Sequence, residues 1–198
     1  MKYAIIGAGG TGGCLGFFLK KAGKDVTLIA RGKHLEAIRK NGLTIQKLWD
    51  ESRETLPVKA CTAEEYKEIP DVILVCVKGY SMDETVPTIK KIAGKETVVI
   101  PILNIYGTGG RLQKKLPELT VTDGCIYVSA NIMEPGVILQ HGKILRVVFG
   151  ARKPEEETEK MREEAKDMVA DDLEVILSEN IRRDAMAVSY THLTLPTI

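Results

Sequence analysis

Residues 2–31 read KYAIIGAGGTGGCLGFFLKKAGKDVTLIAR, and the order of apolar and glycine-rich runs within them decides the fold. Lys2–Ile6 is a short apolar strand that runs straight into Gly7-Ala8-Gly9-Gly10-Thr11-Gly12-Gly13, after which Cys14–Ala22 is mostly apolar and helical. Gly23-Lys24 ends the helix, and Asp25–Ala30 is β-branched and apolar enough to be a second, buried parallel strand. Strand, glycine turn, helix and strand make one βαβ unit of about thirty residues.

Within that unit Gly7, Gly9 and Gly12 fit G-x-G-x-x-G. The three glycines do different things. The first permits the tight turn, the second lets backbone approach a pyrophosphate, and the third lets the helix pack close to the strand. The free N–H groups and the dipole at the helix N-terminus favour negative charge there. The motif follows a strand and opens a helix, so Gly7, Ala8, Gly9, Gly10, Thr11 and Gly12 are the expected phosphate-binding loop of a dinucleotide. An acid at the end of the second strand would recognise the ribose hydroxyl of NAD. Here the chain reads Ala30-Arg31-Gly32-Lys33 instead, which puts two cations where the 2′-phosphate of NADP would lie. Arg31 can make paired, charge-assisted hydrogen bonds to such a phosphate.

Outward from this unit the alternation continues. Lys33–Lys40 reads as a short charged helix stopped at Asn41-Gly42, and Leu43–Lys47 with Leu56–Cys61 as two strands around a polar loop, an excursion from the main pattern. Val72–Val77 and Thr97–Ile102 are buried strands, and Met82–Ile92 and Gly107–Leu116 are helices. The result is a Rossmann-type α/β fold, a doubly wound, mostly parallel sheet. From Val121 the pattern changes to strands near Gly124–Asn131, Val137–Gln140 and Ile144–Phe149, joined by hairpin turns at Glu134-Pro135-Gly136 and His141-Gly142-Lys143. These are the added antiparallel strands. Pro154–Ala170 is a charged helix, Leu173–Leu177 a last strand, and Ser178–Asp184 opens another helix.

Bulk composition excludes several classes. The chain has 198 residues, 44% of them hydrophobic, and 28 Lys+Arg against 27 Asp+Glu, a net charge of +1. Neither a nucleic-acid nor a membrane partner is suggested. The apolar runs are of strand length, well short of the roughly 20 residues a membrane helix needs. With no signal-peptide pattern, a cytoplasmic location is the default. Cys14, Cys61, Cys76 and Cys125 are scattered, as are His34, His141 and His192, so no metal site is expected. A reactive thiol stays open only for Cys14, in the first turns of its helix, beside the reading of a small buried hydrophobe.

Lys78 ends one central strand and Asn104 follows the next, which places both at the carboxyl edge where open parallel sheets bind ligands. A lysine there can offer charge to a substrate or cofactor oxygen, and an asparagine can hydrogen-bond ribose, carboxamide or substrate.

These residues together resemble the NADP-dependent ketopantoate reductase (2-dehydropantoate 2-reductase) family. The resemblance rests on IIGAGGTGG at 5–13, LIARGKHLEAIRKNGL at 28–43, VCVK ending at Lys78, LNIYG around Asn104 and SENIRRD at 178–184, and it covers residues 1 to about 186. It implies reduction of a 2-keto acid by NADPH, in the pantothenate pathway, by a Rossmann domain followed by an all-helical domain. It also implies that Gly7–Gly12 form the pyrophosphate loop, Arg31 the 2′-phosphate contact, Lys78 and Asn104 the cofactor and active-site edge, and Ala130 a backbone cofactor contact. A small-molecule 2-keto acid is the implied partner, and a homo-oligomer stays open.

Two departures stand out. The family has Asn-Gly where this chain has Asn104-Ile105. In the family, NIRRD leads to an Arg-Lys pair whose lysine is the general acid, then to a helical domain supplying a glutamate; here Val188 falls where that lysine is expected. The division expected is therefore a cofactor domain at 1–178, the start of a truncated helical domain at 179–186, and a non-native tail at 187–198 whose residues permit codons resembling a sequencing adaptor read through in frame. Such a fragment would bind NADPH with little turnover, and would bare apolar surface around Ile181 and Met186. Two other classes remain open on the residues alone, another NAD(P)-dependent dehydrogenase of hydroxy acids and a non-catalytic nucleotide-binding Rossmann module.

Overall fold

A computed structural model describes residues 1–194, with side chains described through residue 188. The βαβ unit forms as β1 (Lys2–Ile6), α1 (Gly10–Lys21) and β2 (Asp25–Ile29). After α2 (Gly32–Asn41) come β3 (Leu43–Lys47), β4 (Arg53–Leu56) and β5 (Lys59–Cys61). Then follow β6 (Val72–Val75), α3 (Val86–Ile92), β7 (Val98–Pro101), α4 (Thr108–Lys115) and β8 (Thr120–Val121). The last part contains β9 (Asp123–Tyr127), β10 (Ala130–Glu134), β11 (Val137–Gln140), β12 (Arg146–Gly150), α5 (Glu159–Met168), β13 (Glu174–Leu177) and α6 (Ile181–Thr194).

Six strands form the central sheet in the order β5-β2-β1-β6-β7-β8, all pairs parallel. The order reverses beside β1, so the glycine turn after β1 opens at the topological switch point. Side chains alternate across the sheet, and the core divides accordingly. Tyr3 and Ile5 pack on one face with Leu15 of α1 and Met161 of α5, while Ala4 and Ile6 pack on the other with Ile89 of α3 and Leu112 of α4. Helices on both faces explain why these strands are apolar throughout rather than alternating. Among the described residues no helix is long and apolar enough to cross a membrane.

Several expected elements are redrawn by tertiary context. The segment 56–61 is not one strand: Pro57, which lacks an N–H, separates β4 from β5, and β5 joins the central sheet alongside β2. The chain therefore leaves after α2 to build the β3–β4 hairpin and returns to the main pattern with β5, so 43–56 is an insertion within a crossover. Gly124–Asn131 divides into β9 and β10, which belong to different sheets. The turn at Glu134-Pro135-Gly136 does join a hairpin, β10 to β11, with Gly136 at φ 83°. His141-Gly142-Lys143 does not, because β11 pairs with β3 in a four-stranded sheet and β12 with β9 and β13 in a three-stranded one. The helix expected from Pro154 begins only at Glu159, where Thr158 caps it by accepting from the Met161 N–H at 3.3 Å. Met82–Ile92 likewise opens with a single 3₁₀ turn at Asp83–Thr85 before α3, and another, Gly79–Ser81, precedes it.

α6 lies against β9 and β12 and buries Ile181, Ala185 and Val188 with Cys125 and Val148. The bare surface expected at Ile181 is thus absent, since that side chain is 1% exposed, whereas Met186 stands 42% exposed. Of the tail expected at 187–198, the backbone of 187–194 continues α6, and residues 195–198 lie outside the described residues.

Candidate functional site

A cleft of about 930 Å³ runs over the carboxyl edge of the central sheet. Its floor is the turn after β1, and its walls come from the ends of β2, β5, β6 and β7 together with β9 and β10. That volume lies near the top of the range for small-molecule sites.

The glycines divide their labour as the fingerprint requires. Gly7 has φ 96°, a left-handed conformation that disfavours any side chain. A Cβ on Gly12 would lie 1.9 Å from the Gly7 carbonyl oxygen, so helix and turn can touch only here without a side chain. Gly12 therefore sits beneath the loop rather than on the cleft wall. A Cβ on Gly9 would meet nothing within 4 Å, and that open space faces the first turn of α1, whose N-cap is Gly9 with no side-chain cap. Gly10 has a further constraint that the fingerprint does not express. Its Cβ would lie 2.2 Å from the Ala130 carbonyl oxygen, so β10 is drawn tight against the glycine loop.

Gly7, Ala8, Gly9, Gly10, Thr11, Arg31, Lys78, Asn104 and Ala130 all line this one cleft, from strands far apart in sequence. Arg31 and Lys78 are exposed or nearly so, and neither makes an ion pair among the described residues. Two cations left unpaired at one cleft, one of them beside a helix N-terminus, suit an anionic ligand.

Asn104 plays a more structural part than its position alone suggests. Its Nδ2 donates to the Ile126 carbonyl at 2.8 Å and its Oδ1 accepts from the Ile126 N–H at 2.9 Å, so its carboxamide binds β9 in the manner of another strand. Ile105, the residue that departs from Asn-Gly, reaches over the loop after β6: a Cβ on Gly79 would lie 2.3 Å from Ile105 Cδ1. The two loops that carry Lys78 and Asn104 thus touch through Ile105.

Sequence does not single out His34 as a site residue. Its Nε2 lies 2.8 Å from the Ala8 carbonyl and its Nδ1 accepts from the Gly136 N–H at 3.0 Å. Since Nδ1 accepts, the proton sits on Nε2, which donates to Ala8. The imidazole ties the glycine loop to the β10–β11 turn. Burial holds its pKa below the usual histidine value, against the opposing hydrogen bond to Ala8. Its spacing three residues after Arg31 is visible in the chain, but the partner Gly136 is 102 residues away.

Cys14 is fully buried in α1, and burial pushes its thiol up to about 12, which settles it as packing rather than a nucleophile.

A six-stranded parallel sheet of this order, with a glycine turn at its switch point and helices on both faces, defines a Rossmann-type domain. The chain belongs to the ketopantoate reductase PanE/ApbA family, whose model matches residues 3–154. It is 30% identical over 184 residues to the uncharacterized oxidoreductase YkpB of Bacillus subtilis, covering 93% of this chain and 59% of that protein. With the 2-dehydropantoate 2-reductase of Pyrococcus horikoshii it shares 35% identity over 150 residues, 75% of this chain and 47% of that one. The crystal structure of 2-dehydropantoate 2-reductase from Porphyromonas gingivalis superposes with a TM-score of 0.83 at 32% identity, covering 94% of this chain and 67% of that one. The chain spans about half the length of the curated relatives it matches.

Proposed function

We propose that this chain is the NADP(H)-binding part of an enzyme that reduces 2-dehydropantoate, or a closely related 2-keto acid, to the 2-hydroxy acid. The observation that carries the cofactor half is Arg31, an unpaired guanidinium at the end of β2, in the same cleft as a glycine loop with open space over Gly9. The loop accommodates a pyrophosphate, and the N–H groups of the first turn of α1 donate to it. Arg31 binds the 2′-phosphate through its planar fork of donors, and no acid stands at positions 30–33 to prefer a free 2′-hydroxyl. When bound, the reduced nicotinamide supplies the hydride.

The substrate half rests on the family and on its relatives named as 2-dehydropantoate 2-reductases. Lys78 offers a cation at the cleft to an anionic ligand. The position where the resemblance expects a general-acid lysine holds Val188, which is buried with Cys125 and Val148 away from the cleft. The chain accordingly binds NADPH with little turnover. Titration by nicotinamide fluorescence, run beside an assay of NADPH oxidation with 2-dehydropantoate, tests both halves. Tighter binding of NADPH than NADH with negligible turnover is the expected result; equal affinity for the two defeats the cofactor assignment, and robust turnover defeats the assignment of the missing acid.

A further inference from the structure

The turn after β5 forms one wall of the cleft, at the end beyond Arg31, and neither phosphate binding nor hydride transfer involves it. Thr62, Ala63 and Glu64 all line the cleft there. The turn is pinned from two directions. Arg39 Nε donates to the Ala60 carbonyl at 3.1 Å, and its guanidinium binds the Glu65 carboxylate, which also accepts from the Thr62 N–H at 2.8 Å. Lys91 Nζ donates to the carbonyls of Ala63 and Glu64, each at 2.9 Å. Of the two adjacent acids, Glu65 is thereby committed to Arg39, while Glu64 lines the cleft with no ion pair among the described residues.

The Glu64 carboxylate is exposed at this wall and favours its ionised form. Its own N–H and the Thr62 hydroxyl both stabilise the ionised form and keep its pKa below the usual value. An ionised carboxylate only accepts hydrogen bonds, and two such donors leave acceptor capacity unused.

Position decides what it meets. The end of β2 addresses the ribose of the adenosine half of a dinucleotide. β5 is the next strand outward and the edge of the sheet, so the base attached to that ribose lies toward the 62–64 wall. We infer that Glu64 reads this base, accepting a hydrogen bond from the exocyclic 6-amino group of adenine. The inference rests on the dinucleotide reading and adds a specificity residue to it. A base with only a hydrogen at that position offers the carboxylate no donor and forfeits the bond.

The test compares NADPH with its purine counterpart, identical except for a hydrogen in place of the 6-amino group, in fluorescence titrations of this chain, Glu64→Ala and Glu64→Gln. A hydrogen bond to a charged acceptor is worth about tenfold or more in affinity, so the unsubstituted chain is expected to prefer NADPH at least about tenfold. Glu64→Ala should bring the ratio to within about twofold, chiefly by weakening NADPH, and Glu64→Gln, which keeps an acceptor without the charge, should fall between. The ratio is internal to each protein and so does not depend on its stability. A ratio near one in the unsubstituted chain, or an unaltered ratio in Glu64→Ala, overturns the role of Glu64 while leaving cofactor binding intact. Failure of both dinucleotides to bind overturns the dinucleotide reading and this inference with it.

Discussion

Asn104 satisfies both backbone polar groups of Ile126, donating to its carbonyl at 2.8 Å and accepting from its N–H at 2.9 Å. A side-chain amide thereby takes the place of a further strand along β9, the edge of the three-stranded sheet. Truncation leaves two partly buried backbone groups without that partner, at a cost of about 1–3 kcal/mol. Asn104→Ala is therefore expected to lower the unfolding free energy by that amount in denaturant titrations with no dinucleotide present. An unchanged midpoint and slope would mean that the residue serves only a ligand.

Gly9 and Gly12 make opposite demands. Alanine at 12 brings Cβ to 1.9 Å from the Gly7 oxygen, whereas alanine at 9 enters open space. Gly12→Ala should destabilise the fold by more than about 2 kcal/mol, in the range of strongly disruptive substitutions. Gly9→Ala should melt within a few degrees of the parent and lose NADPH affinity, because its methyl occupies the approach to the helix N-terminus. Retained affinity in Gly9→Ala would remove the phosphates from that space.

Arg31 is tested through selectivity. Arg31→Ala is expected to weaken NADPH binding about tenfold or more, the value of a charge-assisted contact, while NADH changes little. The NADPH dependence on ionic strength should also flatten, since screening acts on the lost pair. Equal loss for both dinucleotides would sink the 2′-phosphate assignment.

His34 makes stability depend on pH in one direction. Its Nδ1 accepts from Gly136 and burial lowers its pKa, so the folded protein resists a proton that the unfolded chain accepts. The unfolded state binds more protons in the window below the ordinary histidine value of about 6.5, and stability falls as pH falls through that window. Thermal melts at pH 5 and 7.5 should differ more for the parent than for His34→Gln; identical differences would show that another group governs the acid side.

Glu164 acts in the opposite sense. It is fully buried in α5 with neither carboxylate oxygen hydrogen-bonded among the described residues, and burial pushes its pKa up to about 8, with Asp71 and Glu163 adding to the rise and Lys160 opposing it. The folded state keeps a proton that the unfolded chain releases near pH 4.5, so this contribution to stability declines from there up to about 8. Glu164→Gln, neutral at every pH, should gain on the parent as pH rises across that interval. A constant difference between the two melting temperatures would show that Glu164 is already ionised when folded.

Much of this protein was legible in residues 2–31 alone, because a βαβ unit is local: apolar runs of strand and helix length, and glycines where backbone must turn or touch, are properties of neighbours in the chain. The central sheet, the glycine loop and the cation at the end of β2 followed from that. What tertiary structure decided was pairing across long separations. Nothing near His141 announces that β11 and β12 part into different sheets, since register and partner are chosen by which apolar faces can be buried together. Nothing near His34 announces Gly136, and nothing near Asn104 announces Ile126. The turn at 62–64 came to the cleft only because Pro57 broke a strand and sent β5 to the edge of the main sheet. Sequence determined which chemistry the chain carries at each strand end; only folding determined which of those ends face one another.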